Sequence, residues 1–140
     1  MSYQDIVDGL HERFRLLDDL AVILDYEPTA AQDSPLLYSL LDGFVRVYDD
    51  VGESVEVTYR TLHRLCIRWQ DNDEAEQTLI ALANAIPIAV DGDPHLGTRL
   101  KGDGARIVQG DAGWVNIGGT EYRSLDFYSE CTEFNSITSI

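Results

Sequence analysis

Residues 55–70 read VEVTYRTLHRLCIRWQ, and their alternation decides the fold. Val55, Val57, Tyr59, Leu65, Ile67 and Trp69 fall on one side of an extended chain, and Glu56, Thr58, Arg60, Arg64, Arg68 and Gln70 on the other. Side chains of a strand alternate between its two faces, so a period of two held this long predicts a long, half-buried antiparallel strand. The other segments are read outward from it.

Upstream, the stretch from Leu36, LLYSLLDGFVRVYDD, carries the turn dipeptide Asp42-Gly43 among apolar and aromatic residues, which suggests a hairpin or a bent strand. DDVGES follows as a second turn. Before Leu36, a short apolar run leads into a polar loop bracketed by Pro28 and Pro35. At the start of the chain, Ser2 and Asp5 are placed to cap a helix, and Ile6, Leu10, Phe14 and Leu17 form one apolar stripe running to about Asp19.

Downstream, DNDEAEQTLIALANAIPIAV predicts a second helix. Asp71, Asn72 or Asp73 can cap it, and Glu74 and Glu76 suit its positive end. Ala75, Leu79, Leu82, Ala83 and Ile86 form its buried stripe, and Pro87, lacking an amide hydrogen, should kink or end it. The rest reads as a strand, then a hairpin turned at Ile117-Gly118-Gly119-Thr120, then the polar tail NSITSI. This order suits an α+β domain: an antiparallel sheet with a long central strand and two helices packed on one face. Residues 1–134 form that domain, and residues 135–140 a polar C-terminal tail.

Composition narrows the function classes. Twenty-five acids against ten bases give a formal net charge of −15, and no Lys or Arg lies between Arg68 and Arg99. Such a surface repels a phosphate backbone, which argues against tight nucleic-acid binding. There is no apolar run long enough to span a membrane, and the polar opening MSYQDIVDGLHERF is wrong for a secretory signal. Cys66 and Cys131 read as buried thiols in a reducing compartment, and folding in a cytoplasm is the expectation.

AVDGDPHLGTRLKGDGA, residues 89–105, gathers carboxylates, a histidine and glycines. Counted as a calcium loop from Asp91, it puts Leu96 where glycine belongs and Gly102 where the closing glutamate belongs. Its KGDGARIV feeds a strand rather than the helix that a phosphate loop needs, and His95 has no histidine or cysteine close by in sequence for zinc. It reads as a structural turn. His11, His63 and His95 share no regular spacing, and no nucleophile signature is present. The expectation is no catalytic residue, no cofactor and no metal.

One constellation stands out. Arg60, Arg64 and Arg68 share one face of the long strand. They either solvate that face or dock it against an acidic surface, and the second helix supplies such acids in Asp73, Glu74 and Glu76. Between copies of the chain this would make a head-to-tail ring or filament contact, for which the bidentate guanidinium is suited.

Taken in order, the amphipathic first helix, the Pro-bounded loop, the long strand ending in RWQDNDEAEQTLIALANAI, DPHLGTRL and the closing GGTEYRSLDFYSE resemble the tail terminator proteins of long-tailed bacteriophages. These are also called tail completion or tail-to-head joining proteins. The resemblance covers roughly residues 3–134, and Asp93 to Gly97 is similar to the Asp-x-x-Leu-Gly turn of that family. It implies a structural virion protein rather than an enzyme. Such a protein forms a ring, commonly a hexamer, on the last ring of the tail tube, ends tube growth and meets a head-side neck or connector protein. DNA passes through without being held, so acids facing the lumen are expected. Candidates are Asp49, Asp50 and Glu53 of the turn before the long strand, together with the acids of the second helix. The rival readings are another neck component, an adaptor or stopper, or a small ligand-binding domain.

Overall fold

A computed structural model of the chain describes residues 2–69, 74–100 and 104–136. Its elements run α1 (Tyr3–Phe14), β1 (Val22–Leu24), β2 (Leu36–Tyr48), β3 (Ser54–Arg68), α2 (Glu74–Asp91), β4 (Gly104–Ile117) and β5 (Thr120–Ser136). The five strands form one sheet in the order β1-β2-β3-β5-β4. The alternating segment is therefore the middle strand, and its burial follows the expected period: Val55, Val57, Thr61, His63, Leu65 and Ile67 are buried on one face.

The sheet is mixed, not purely antiparallel. β1 lies parallel to β2, with Val22 opposite Leu36 and Leu24 opposite Tyr38, while all other pairings are antiparallel. The short apolar run read as a prelude to a loop is thus a strand. Residues 25–35 make the return, a length that permits a parallel crossover where a tight turn would not. The crossover is tied down by Tyr122, whose hydroxyl accepts from the Gln32 amide and donates to the Gln32 carbonyl, each at 3.0 Å.

Of the two readings of Asp42-Gly43, a hairpin or a bent strand, the structure has the bent strand. β2 continues through the dipeptide with a register shift between Leu41 and Gly43, a bulge that bends one strand. The true turn lies at residues 49–53, where the Glu53 amide and the Ser54 hydroxyl donate to the Asp49 carboxylate. The β4–β5 turn is the expected two-glycine one: Gly118 and Gly119 have φ of 58° and 84°. A Cβ at Gly118 would also lie 2.8 Å from the Ala31 amide nitrogen.

In α1, Ser2 and Asp5 exchange the reciprocal bonds of a capping box. The helix ends at Phe14 rather than near Asp19; the Leu16 and Leu17 amides bond to the Arg13 and Phe14 carbonyls, tightening the chain into turns. Leu17 still reaches the core from there. α2 runs past Pro87 to Asp91, because Ala89 and Val90 beyond the proline are buried and packing outweighs the lost amide. Its expected caps, residues 71–73, lie outside the described residues. β5 extends through Ser136, into the stretch read as a tail.

A single buried cluster joins Ile6, Leu10 and Phe14 of α1 and Leu79, Leu82, Ile86 and Val90 of α2 to Leu37, Leu65, Ile67, Leu125 and Phe127 of the sheet. A second, smaller cluster, Leu36, Tyr38, Cys66, Ile117 and Tyr122, closes part of the opposite face. Phe14 is fully buried in the larger cluster, so Phe14→Ala should cost about 3–5 kcal/mol. Leu41→Ala, at an exposed position of β2, should stay within about 0.5 kcal/mol of the parent chain. Urea unfolding of the two variants checks the contrast.

Candidate functional site

Side chains paired across neighbouring strands share a face, so the registers of β2, β3 and β5 define an arginine face opposite His63 and Leu65. Arg64 sits across from Asp126 on β5 and Tyr38 on β2. Its guanidinium donates bidentately to Asp126, from Nε at 2.7 Å and Nη2 at 3.0 Å, and Nη1 donates to the Tyr38 hydroxyl. The bond to Asp126 raises the Arg64 pKa above its ordinary value, against the opposing pull of desolvation. Burial pushes the Tyr38 hydroxyl up, an effect only partly offset by Arg64.

Arg60 donates to Asp42 at 3.0 Å, reaches Gln109, and lies over the Tyr128 ring at 4.5 Å. Arg68 donates to the Gln32 carbonyl, and its amide to the Ser34 hydroxyl. All three arginines are thus engaged within the chain. Of the acids proposed to meet them in another copy, Glu76 is bound within its own chain by Arg123, whose guanidinium also faces the Trp114 ring at 5.1 Å. Glu74 lines a cleft of about 310 Å³ with Arg68, Asp33, Ser34 and Thr78. Asp73 lies outside the described residues.

Asp49, Asp50 and Glu53 share the exposed β2–β3 turn. Desolvation acts to raise the Asp49 carboxyl but is outweighed by the bonds from Ser54, Glu53 and Gly52, which hold it below its usual range. Asp49 therefore builds the turn, while Asp50 and Glu53 are exposed at its tip. Between the end of α2 and Leu100, residues 92–99 are a run of turns: Asp93 accepts from the Gly97 amide at 2.8 Å, and Leu96 and Leu100 are buried. Among the described residues, no group of three His, Cys, Asp or Glu side chains could hold a metal ion. No helix among them is long and apolar enough to cross a membrane.

Two features went unread in the sequence. The first is an apolar patch at the end of the sheet beyond the crossover. Val47, Glu56 and Phe134 stand side by side on the arginine face, with Val45 one pair along; Val45, Val47 and Phe134 are 64%, 58% and 52% exposed. Burial, not periodicity, exposes this feature, because the same residues read as ordinary strand formers.

The second is a chain of buried hydrogen bonds through the inner face. His11 Nε2 is 2.8 Å from Ser39 Oγ, which is 2.6 Å from His63 Nδ1, and His63 Nε2 is 2.8 Å from Ser129 Oγ. Desolvation lowers His11 to about 4, helped by Arg15 and opposed by Asp25 and Asp8; desolvation and His11 lower His63 to about 3. No spacing in the sequence links these two histidines, since they come from a helix and a strand. Cys66 and Cys131 are free and sit in different clusters, on opposite sides of the sheet; burial pushes both thiols up to about 12.

No protein-family model matches the chain, and no curated protein does.

The arginine face makes a graded test. Arg64→Ala leaves a largely buried carboxylate without its fork and should cost about 2 kcal/mol, whereas Arg60→Ala should cost under about 1 kcal/mol. Chemical denaturation at low and high salt reads both, with the smaller salt dependence at Arg64.

Proposed function

We propose that this chain is a ring-forming structural protein of a phage tail, the terminator that caps the head-proximal end of the tube and joins it to the head. In this reading both helices cover one face of the sheet, and copies meet through its open edges. The resemblance along residues 3–134 suggests the identity, and one structural observation supports assembly: among the described residues the sheet has two edges without a full partner strand, on opposite sides. β1 covers β2 only at Leu36–Tyr38, and β4 has a neighbour on one side alone.

Open edges carry unpaired backbone donors and acceptors, and proteins that remain single usually blunt them with charge or proline. Here the uncovered part of β2 carries Leu41, Phe44, Val45, Val47 and Tyr48, all exposed. Edges on opposite sides of one sheet join head to tail, and such contacts close into a ring when the rotation between copies allows. The partners are other copies of the chain, the tail tube protein and a head-side connector protein. The net charge of −15 suits a passage that DNA crosses without adhering. The reading places the protein in the virion after assembly in the host cytoplasm, with no cofactor and no catalytic step.

Mass in solution, followed by imaging of the protein with tail-tube ends, tests this reading. A closed ring, alone or capping a tube, is the expected result. A monomer that ignores tube ends overturns it, and binding to the head connector alone moves the protein to a stopper or adaptor position. The double variant V45K/V47K should abolish ring formation while leaving the free energy of unfolding within about 1 kcal/mol of the parent, since both side chains are exposed.

A further inference from the structure

The chain His11–Ser39–His63–Ser129 links α1, β2, β3 and β5 through hydroxyls and imidazoles that are at most 4% exposed. Ser39 has one proton to give and stands between two ring nitrogens. With both rings neutral the chain can run in either direction, from His11 towards Ser129 or the reverse, Ser39 accepting from one ring and donating to the other in both cases. If both rings carry a second proton, Ser39 Oγ meets two N–H donors and its own proton loses both ring acceptors. Two buried charges would also stand on either side of one hydroxyl, in surroundings that include the Phe14 ring, 5.1 Å from His63.

We propose that this chain is an acid-sensitive latch: proton uptake by the two histidines releases α1 from the sheet while the strand ladders remain paired. α1 can leave without breaking a backbone bond of the sheet, because, like α2, it shares no ladder with the strands, and it alone carries His11. Beyond its apolar stripe, it is held by the His11 bond, by Tyr3 against Thr61, by Arg13 donating to the Ala89 carbonyl, and by Arg99 against Glu12. Its departure uncovers His63 as well, since Phe14 leaves with it.

The charged groups around the latch have defined effects. Arg15 on α1 opposes charging of His11, while Asp8 on α1 and Asp25 after β1 favour it. β2 and β5 contribute the hydroxyls of Ser39 and Ser129; further along the same face of β5 lie Cys131, a neutral thiol, and Glu133. The nearby stripe of α2 is apolar.

The sign follows from linkage. Both histidines have folded pKa values below the ordinary value of 6.5, so the opened state binds more protons. Closure is fully favoured above about pH 6.5 and is lost as pH falls towards 4 and then 3. Each histidine contributes up to tenfold per pH unit in that window.

Native-state hydrogen exchange on the full chain measures this at pH 6.5 and 4.5. Amides of α1 should exchange through an opening cheaper than that of β3 and β5, and their protection should fall on the order of a thousandfold between the two pH values. In H11Q, which keeps a polar group beside Ser39, the fall should shrink to on the order of fiftyfold, the share of His63 alone. Equal protection of α1 and β3 at both pH values overturns the latch, as does an H11Q profile as steep as the parent's. If H11Q does not fold, imidazole NMR of the parent chain decides: neither His11 nor His63 should titrate in the folded state above pH 5.5. A His11 resonance titrating near 6.5 overturns the proposal.

Discussion

A strand at the centre of a sheet has both backbone edges occupied, so all that distinguishes its two sides is side-chain chemistry. β3 uses that freedom fully. On one face Leu65 and Ile67 need apolar cover and join the cluster to which both helices contribute. On the other, Arg64 stands directly between Tyr38 and Asp126, and its fork is filled by both neighbours. A slip of one residue in either pairing would turn Asp126 or Leu65 to the wrong side, so ion pair and core enforce one register together. Because Asp126 is only about one-fifth exposed, a misplaced register strands a carboxylate as well as losing a bond.

The sheet closes unevenly along its length. At the end bearing Leu36 and Tyr122, the crossover packs a second cluster against the arginine face, and Tyr122 grips Gln32 through two hydrogen bonds. At the other end nothing in the described chain covers Val45, Val47 or Phe134. The bulge at Asp42 marks the boundary on β2: before it the strand is buried, and after it exposed. One end of the molecule is therefore covered by its own chain, and at the other the described residues leave apolar side chains exposed beside an edge of β2 that has no outer partner strand. That asymmetry, rather than any pocket, is the feature the proposed assembly contact would use.

Much of this was legible in the sequence, for local reasons. The alternation over residues 55–68, the Ser2/Asp5 cap and the Gly118-Gly119 turn each follow from nearest-neighbour geometry, and each stands where it was read. β1 was missed because three residues are too short to show a period, and its parallel pairing is created by a partner a dozen residues away. Asp42-Gly43 left a hairpin and a bent strand both open, because bulges and hairpin turns draw on the same residue types, and the bent strand is the one found. The arginines were placed on the right face, but their partners were not foreseen. Asp42 and Asp126 become neighbours of Arg60 and Arg64 only once strands distant in sequence are set in register.

The histidines show where such reading ends and what the fold adds. His11 lies on the buried stripe side of an amphipathic helix and His63 on the apolar side of the long strand, positions where an apolar residue would serve packing equally well. Three hydroxyl-bridged bonds replace that packing, and they have direction and fixed partners where apolar contacts do not. A core bonded in this way aligns α1 with β2 and β3 at one point, just as Arg64 aligns β2 with β5 on the far side. The two locks differ in their chemistry. The ion pair works through opposite charges held in a fixed fork, whereas the imidazole chain depends on rings that burial keeps neutral.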